Sequence, residues 1–301
     1  MNRTSCDKVL HEHTPIGNIR FAFFLNLSFT IIEIAGGILT NSLAILSDAL
    51  HDFGDSISLG LSWILERYSR RDKDEKYSYG YRRYSLLSAL INSFVLIGGS
   101  VYILVEVVPR IISPRQVYGT GMLYFAILGV VINGFAFLRL RKGRSLNEKV
   151  LSLHLLEDVL GWFSVMVVSI ILIFKELYIL DSILCLLITA YILYNAFKNL
   201  RSVFLIFLQA VPEGISIKEI DDKLLSLDKV KGVHHTHVWS MDSLNNVLST
   251  HIVVEDGTTI DEVVEIKKKV KELFAPFGIE HITVEVEVES EFCKLRGKSC
   301  F

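Results

Sequence analysis

Two short patterns in this 301-residue chain set metal-binding side chains where charged groups are otherwise scarce. Residues 42–55 read Ser-Leu-Ala-Ile-Leu-Ser-Asp-Ala-Leu-His-Asp-Phe-Gly-Asp, and residues 153–161 read Leu-His-Leu-Leu-Glu-Asp-Val-Leu-Gly. Each contains His-x-x-x-Asp: His51 with Asp55, and His154 with Asp158. Residues four apart on a helix share a face, about 6 Å apart along the axis. One imidazole and one carboxylate from each of two helices can therefore converge on a single point. Two neutral imidazoles and two carboxylates give a divalent ion a roughly tetrahedral shell of zero net charge, which suits zinc in a low-dielectric interior. For a lone polar residue, simple helix-to-helix glue would be an adequate account. Two copies of one pattern on separate helices weaken it, because each charge at mid-bilayer costs about 3 kcal/mol or more and such residues mark ion pathways. Asp48 lies three residues before His51, near the same face, and is a candidate to support the ligands or carry a proton. Asp52 and Glu157 point about 100° away from the ligands, toward pairing at a helix interface. The His-Glu-x-x-His pattern of a zinc protease is absent.

The elements that must position these residues are membrane helices. The chain is 51% hydrophobic with a mean hydropathy of +0.43, more apolar than soluble domains average. A span needs about 20 mostly apolar residues, and six segments qualify: 17–39, 42–65, 84–108, 118–140, 150–174 and 179–208. Lys and Arg crowd two short connections: Arg67, Arg70, Arg71, Lys73, Lys76, Arg82 and Arg83 in one, Arg139, Arg141, Lys142, Arg144 and Lys149 in the other. The remaining connections are poor in both. The positive-inside rule puts the basic loops and both termini in the cytosol. No small-residue cleavage site follows the first apolar run, so no removable signal peptide is expected.

From Pro212 onward Lys, Asp and Glu become dense and a water-solvated body is expected. Residues 216–227 and 259–274 carry helical periodicity, and 230–241, 246–255 and 281–289 read as strands, the last alternating strictly. The order αββαβ predicts a small α+β unit with one helical layer over an antiparallel sheet. The division is thus a cytosolic tail at 1–16, a transmembrane domain at 17–208, a cytosolic domain at 209–290 and a C-terminal tail at 291–301. Five of the nine histidines fall in the cytosolic part. On adjacent strands His234 and His251 can approach one another, with Glu285 or Glu287 arriving from the last strand, whereas alternation puts His235 and His237 on the opposite face. Cys-x6-Cys at Cys293 and Cys300 is not a zinc-ribbon spacing. These thiols, like Cys6 with His11 and His13, are read as unliganded.

Asn41–Asp55, His154–Gly161, Gln209-Ala-Val-Pro-Glu-Gly214 and Val233-His-His-Thr-His-Val-Trp239 together resemble the cation diffusion facilitator family over nearly the whole chain. The resemblance implies a homodimeric metal exporter driven by proton exchange, with a six-helix transmembrane bundle and a ferredoxin-like αββαβ cytosolic domain. It matches His51, Asp55, His154 and Asp158 to the transport site, and it implies regulatory zinc at His234, His251 and a carboxylate of the last strand, Glu285 or Glu287. Histidine at the head of both pairs is similar to zinc-preferring members. The absence of histidine from Arg141–Lys149 is similar to short bacterial types, which implies the bacterial inner (plasma) membrane. The expected activity is export of Zn2+, with Cd2+ or Co2+ as further substrates, and no enzyme activity, resident cofactor or nucleic-acid partner is expected. A manganese or iron transporter, a passive divalent-cation channel and a membrane-anchored metal sensor remain as alternatives.

Overall fold

The computed structural model describes residues 16–69, 71, 73–140, 146–291 and 293. Six long helices come first: α1 (Ile16–Thr40), α2 (Leu43–Ser69), α3 (Tyr84–Ile112), α4 (Gly119–Leu140), α5 (Leu146–Phe174) and α6 (Ile179–Phe207). They are followed by α7 (Ile217–Leu225), β1 (Val230–Ser240), β2 (Asn246–Val254), α8 (Ile260–Phe274), a 3-10 turn at Ala275–Phe277 and β3 (Ile279–Val288). Two compact units result. One holds the described residues up to Arg67 together with Leu87–Leu200; the other holds Tyr68–Leu86 together with the described residues from Arg201 onward.

Six spans were expected, and among the described residues four helices are long and apolar enough to cross a membrane: Tyr84–Ile112, Gly119–Leu138, Leu155–Phe174 and Ile179–Phe207. The other two fall short for different reasons. Among the described residues α1 offers a shorter apolar stretch, Asn26–Thr40. The length of α2 is ample, but Asp48, Asp52, Asp55 and Glu66 dilute its hydropathy. Large apolar side chains such as Leu39, Ile112, Phe135 and Phe174 stand exposed around this unit, as they do on a surface made for lipid.

Packing within the helical unit depends on small residues at crossing points. A Cβ added to Gly129 of α4 would lie 2.1 Å from the ring of Trp162 on α5, so the indole lies directly on the glycine backbone. Buried polar contacts add further ties: Ser47 Oγ lies 2.8 Å from Thr189 Oγ1, linking α2 to α6, and Asn199 Nδ2 donates to Ser93 Oγ at 3.1 Å, linking α6 to α3.

The start of α2 is held from two sides. Asn41 turns the chain between α1 and α2 with a left-handed backbone (φ 55°), a conformation that Asn tolerates. Its carbonyl accepts from Arg110 at 2.9 Å. The Asp181 carboxylate, from the first turn of α6, accepts from Ser42 Oγ at 2.5 Å and from the backbone N–H groups of Leu43 and Ala44 at 2.9 and 3.4 Å. A carboxylate from another helix thus caps α2 and sets the position of the acid-rich face that follows.

In the second unit α7 and α8 cover one face of a sheet ordered β1-β2-β3. Ile220 and Leu224 from α7 and Ile266, Val270 and Phe274 from α8 pack against Val238, Leu248, Ile252 and Val254. Thr259 starts α8 with a capping box, accepting from the Glu262 N–H while Glu262 accepts from the Thr259 N–H. The sheet is mixed, not wholly antiparallel. β1 pairs antiparallel with β2, while β3 runs parallel to β2 because α8 carries the chain back across the sheet before it returns. The segment Tyr68–Leu86 belongs to this unit. Its Tyr77, Tyr81 and Tyr84 rings cluster, Tyr81 donates to Asp74 at 2.6 Å, and Tyr79 meets His281 edge-on at 5.4 Å.

Candidate metal sites

In the helical unit, His51 and Asp55 lie one turn apart on α2 with Nε2 and Oδ2 separated by 3.9 Å. Both are only partly buried. His51 also lines a cavity of 140 Å3 together with Leu96 of α3 and Ile192, Asn195, Ala196 and Asn199 of α6. That volume and its amide groups are enough for several waters. On the α5 side, Asp158 lies within electrostatic range of Asp48 and Asp52. A Cβ added to Gly161 would sit 3.5 Å from Asp48 Oδ1, so the Asp48 carboxylate rests against α5 one turn beyond Asp158. His154 belongs to α5, but its side chain lies outside the described ones.

The flanking acids take separate partners. Glu157 is exposed and accepts from the Tyr191 hydroxyl of α6 at 3.1 Å. Asp52 turns toward α1, where Asn26 Nδ2 donates to the Asp52 carbonyl at 2.9 Å and to Ser56 Oγ at 3.1 Å. On the same side of α1 lies Glu33, fully buried, with Asp52 as its nearest acidic neighbour. Sequence reasoning passed over Glu33. The available signal was a single acid in the apolar run Phe21–Thr40.

In the cytosolic sheet, His234 of β1 stands opposite His251 of β2, and His251 stands opposite Glu285 of β3. His251 Nδ1 lies 2.7 Å from Glu287 Oε1, and His251 Nε2 lies 3.2 Å from Glu285 Oε2. Among the described residues His234 Nε2 is buried without a hydrogen bond, with Glu287 Oε1 3.4 Å away. Glu287 itself is 3% exposed, whereas most of the Glu285 side chain is in solvent.

One expectation for this face is overturned. His235 and His237 do not lie opposite His234. His235 takes a left-handed backbone (φ 55°) and the β1–β2 register slips by one residue between His234 and His237, forming a bulge. The slip inverts the alternation, so His237 pairs with Ser249 on the His251 face. The His235 ring comes to 5.0 Å from that of His251 and 4.5 Å from that of His237. Partial desolvation, followed by the neighbouring His237, His251 and His234 rings, holds the His235 pKa below its usual range. Cys293, read from its spacing as an unliganded thiol, lies beside this cluster. Its Sγ and one ligand atom each from His234, His251 and Glu287 all lie within 4.8 Å of one another. The spacing to Cys300 was uninformative because the partners are strand residues; Cys300, Cys6, His11 and His13 lie outside the described residues.

A bundle of long apolar helices with acids and an imidazole inside it, joined to an α+β domain bearing its own His/Glu/Cys cluster, defines a membrane protein organised around cations. Residues 19–208 match the cation efflux transmembrane domain, and residues 212–289 match the cation efflux protein cytoplasmic domain. The chain belongs to the cation efflux family, which is a family of transporters rather than enzymes. It is 33% identical over 284 residues to the metal cation efflux system protein CzcD of Cupriavidus metallidurans, covering 92% of this chain and 89% of that protein. Over 287 residues it is 32% identical to the cadmium, cobalt and zinc/H(+)-K(+) antiporter of Bacillus subtilis, covering 93% and 92%. Identity to the zinc transporter ZitB of Escherichia coli is 28% over 290 residues, covering 92% and 90%.

Proposed function

We propose that this protein exports Zn2+, and with it Cd2+ and Co2+, from the cytosol in exchange for protons, and that the transported ion is held by His51, Asp55, His154 and Asp158. The observation that carries the reading is His51 and Asp55 one turn apart on α2, with Nε2 and Oδ2 3.9 Å from one another, beside a cavity whose lining includes Asn195 and Asn199. The activities for which the relatives are named point the same way. On this reading α1 to α6 all span the bilayer, the boundary between domains falls at 208/209, the basic loops and both termini face the cytosol, and the membrane is the bacterial inner membrane. The cytoplasmic-domain match supports a homodimer.

Metal ligands must be deprotonated, so zinc entry releases protons and protonation expels zinc. Histidine makes that competition effective near neutral pH. A state open to the outside that meets protons gives up its zinc and returns protonated. The test is zinc uptake into proteoliposomes under an imposed pH gradient: flux should follow the gradient, and flux indifferent to it contradicts proton exchange.

The cytosolic cluster fits a resident zinc ion. The buried His234 Nε2 has no hydrogen bond among the described residues, a place a metal would fill, and Glu287 is a buried acid among imidazoles. His234, His251, Glu287 and Cys293 would hold the ion, with Glu285 orienting His251 from the solvent side. Bound there, zinc would tie β1 to β2 and β3.

A further inference from the structure

The cavity beside His51 has a polar side that the four transport ligands do not account for. Asn195 and Asn199 line it from α6, one turn apart on the same face, and both are exposed. Amides are costly against lipid, and a pair of them lining a cavity at membrane depth marks a wet passage. Hydrogen bonding orients one of the two. Ser93 Oγ of α3 donates to the Ala89 carbonyl at 2.8 Å, so it accepts from Asn199 Nδ2, 3.1 Å away. Asn199 Oδ1 is therefore the end turned from Ser93, and among the described residues neither it nor the Asn195 amide meets a hydrogen-bond partner. The cavity runs one way only. Toward the start of α2 and α6 the two helices are tied, Ser47 to Thr189 at 2.8 Å and Ser42 to Asp181 at 2.5 Å, and no lining residue precedes His51 on α2 or Ile192 on α6.

We propose that Asn195 and Asn199 form the approach to the transport site: they meet the partly hydrated divalent cation and exchange its waters for amide oxygens as it moves to His51. This rests on the transport reading above and, with the topology stated there, opens the site to the cytosol, because α6 ends on that side. Neutral oxygens suit the task. They replace lost hydration, yet without a charge they hold the ion less tightly than the imidazoles and carboxylates beyond them, so it passes on. An apolar side chain in their place would strip the ion without compensation. The Asn199 bond to Ser93 fixes one amide for this role, while Asn195, untied, is free to follow the ion.

The test reads initial zinc uptake into inside-out vesicles holding the full chain, resolved into kcat and KM, for wild type, Asn195→Leu, Asn195→Asp and Asn195→Lys. Asn195 is the position to vary because it has no hydrogen bond to lose among the described residues. Equilibrium zinc affinity of each purified chain is measured beside it. Through KM, kcat/KM should fall about fivefold in Asn195→Leu and about tenfold or more in Asn195→Lys, whereas Asn195→Asp should not fall. The Asn195→Lys loss should shrink at high ionic strength, which screens a charge at an open mouth. Equilibrium affinity should stay within about threefold of wild type throughout. Asn195→Cys should react with a charged thiol reagent added on the cytosolic face faster than the parent chain does, and zinc should slow that reaction. Wild-type uptake in Asn195→Leu and Asn195→Lys overturns the proposal. Equal losses in all three variants also overturn it, by showing a structural role, and equilibrium affinity lost together with uptake overturns it by making Asn195 a ligand of the held ion. An unreactive Asn195→Cys does the same by removing the passage. Absence of saturable zinc uptake in wild type defeats the transport reading itself, and the proposal falls with it.

Discussion

The two clusters use the same residue types under opposite conditions. In the cytosolic sheet, three strands fix register pair by pair, so His251 is gripped on both ring nitrogens, at 2.7 Å by Glu287 and 3.2 Å by Glu285. Within the helical unit, the one ligand pair whose side chains are described stands 3.9 Å apart, too far for a hydrogen bond, beside a cavity. A sheet presents ligands from neighbouring chains at fixed spacing. A helix presents two per turn and depends on a second helix to complete the shell. On the proposed reading this difference is functional: the sheet retains its ion, whereas the helices must alternately hold and release theirs.

Breaking the helical cluster should have the largest effect. Asp55→Ala or Asp158→Ala should reduce zinc uptake into inside-out vesicles to that of protein-free vesicles, with the protein still eluting as a folded species on size exclusion. Near-normal flux in either variant removes the distinction between the clusters. In the cytosolic cluster, His251→Ala should abolish tightly held zinc in the purified full chain, measured by metal analysis after dialysis. Transport should persist, because the proposed ligands of the transported ion lie on α2 and α5 and not in the cytosolic sheet.

Smaller effects should follow from the scaffolds. Gly129→Leu forces a side chain into the Trp162 ring and should destabilise the helical unit by about 1–3 kcal/mol, read as a lower melting temperature in detergent. Thr259→Ala removes the α8 cap and should cost the cytosolic domain about 1 kcal/mol. The same cap carries a pH dependence. Glu262 is pushed down to about 2, first by its bond to Lys229 and then by the Thr259 backbone and side chain. Its contribution to stability is therefore complete above its ordinary value of 4.5 and is lost as pH falls toward 2. Glu262→Gln should flatten that part of the acid-unfolding curve.

What could be read from the sequence followed periodicity. His51 and Asp55 share a face because the helical repeat requires it, and strict alternation of Ile282–Val288 placed Glu285 and Glu287 together on the open face of the sheet. Failures came where a local rule is broken by something outside its window. The bulge at His235 reverses strand alternation through one backbone torsion, which no residue pattern announced. Cys293 comes to the cluster by tertiary folding beyond the end of β3. The parallel pairing of β3 depends on where α8 returns the chain, and Asp181 caps α2 from 138 residues away. Glu33 illustrates the opposite error: its position was visible, but only the structure shows it buried, with Asp52 and Asp48 as its neighbours.

The most direct measurement is zinc X-ray absorption on the full chain carrying His251→Ala and Glu287→Ala, loaded with one equivalent of metal. The expected spectrum shows two imidazole nitrogens and two carboxylate oxygens at about 2.0–2.2 Å, and the zinc should be lost on adding Asp158→Ala. A spectrum with sulfur, with fewer than two imidazoles, or unchanged by Asp158→Ala would contradict a shell built from α2 and α5.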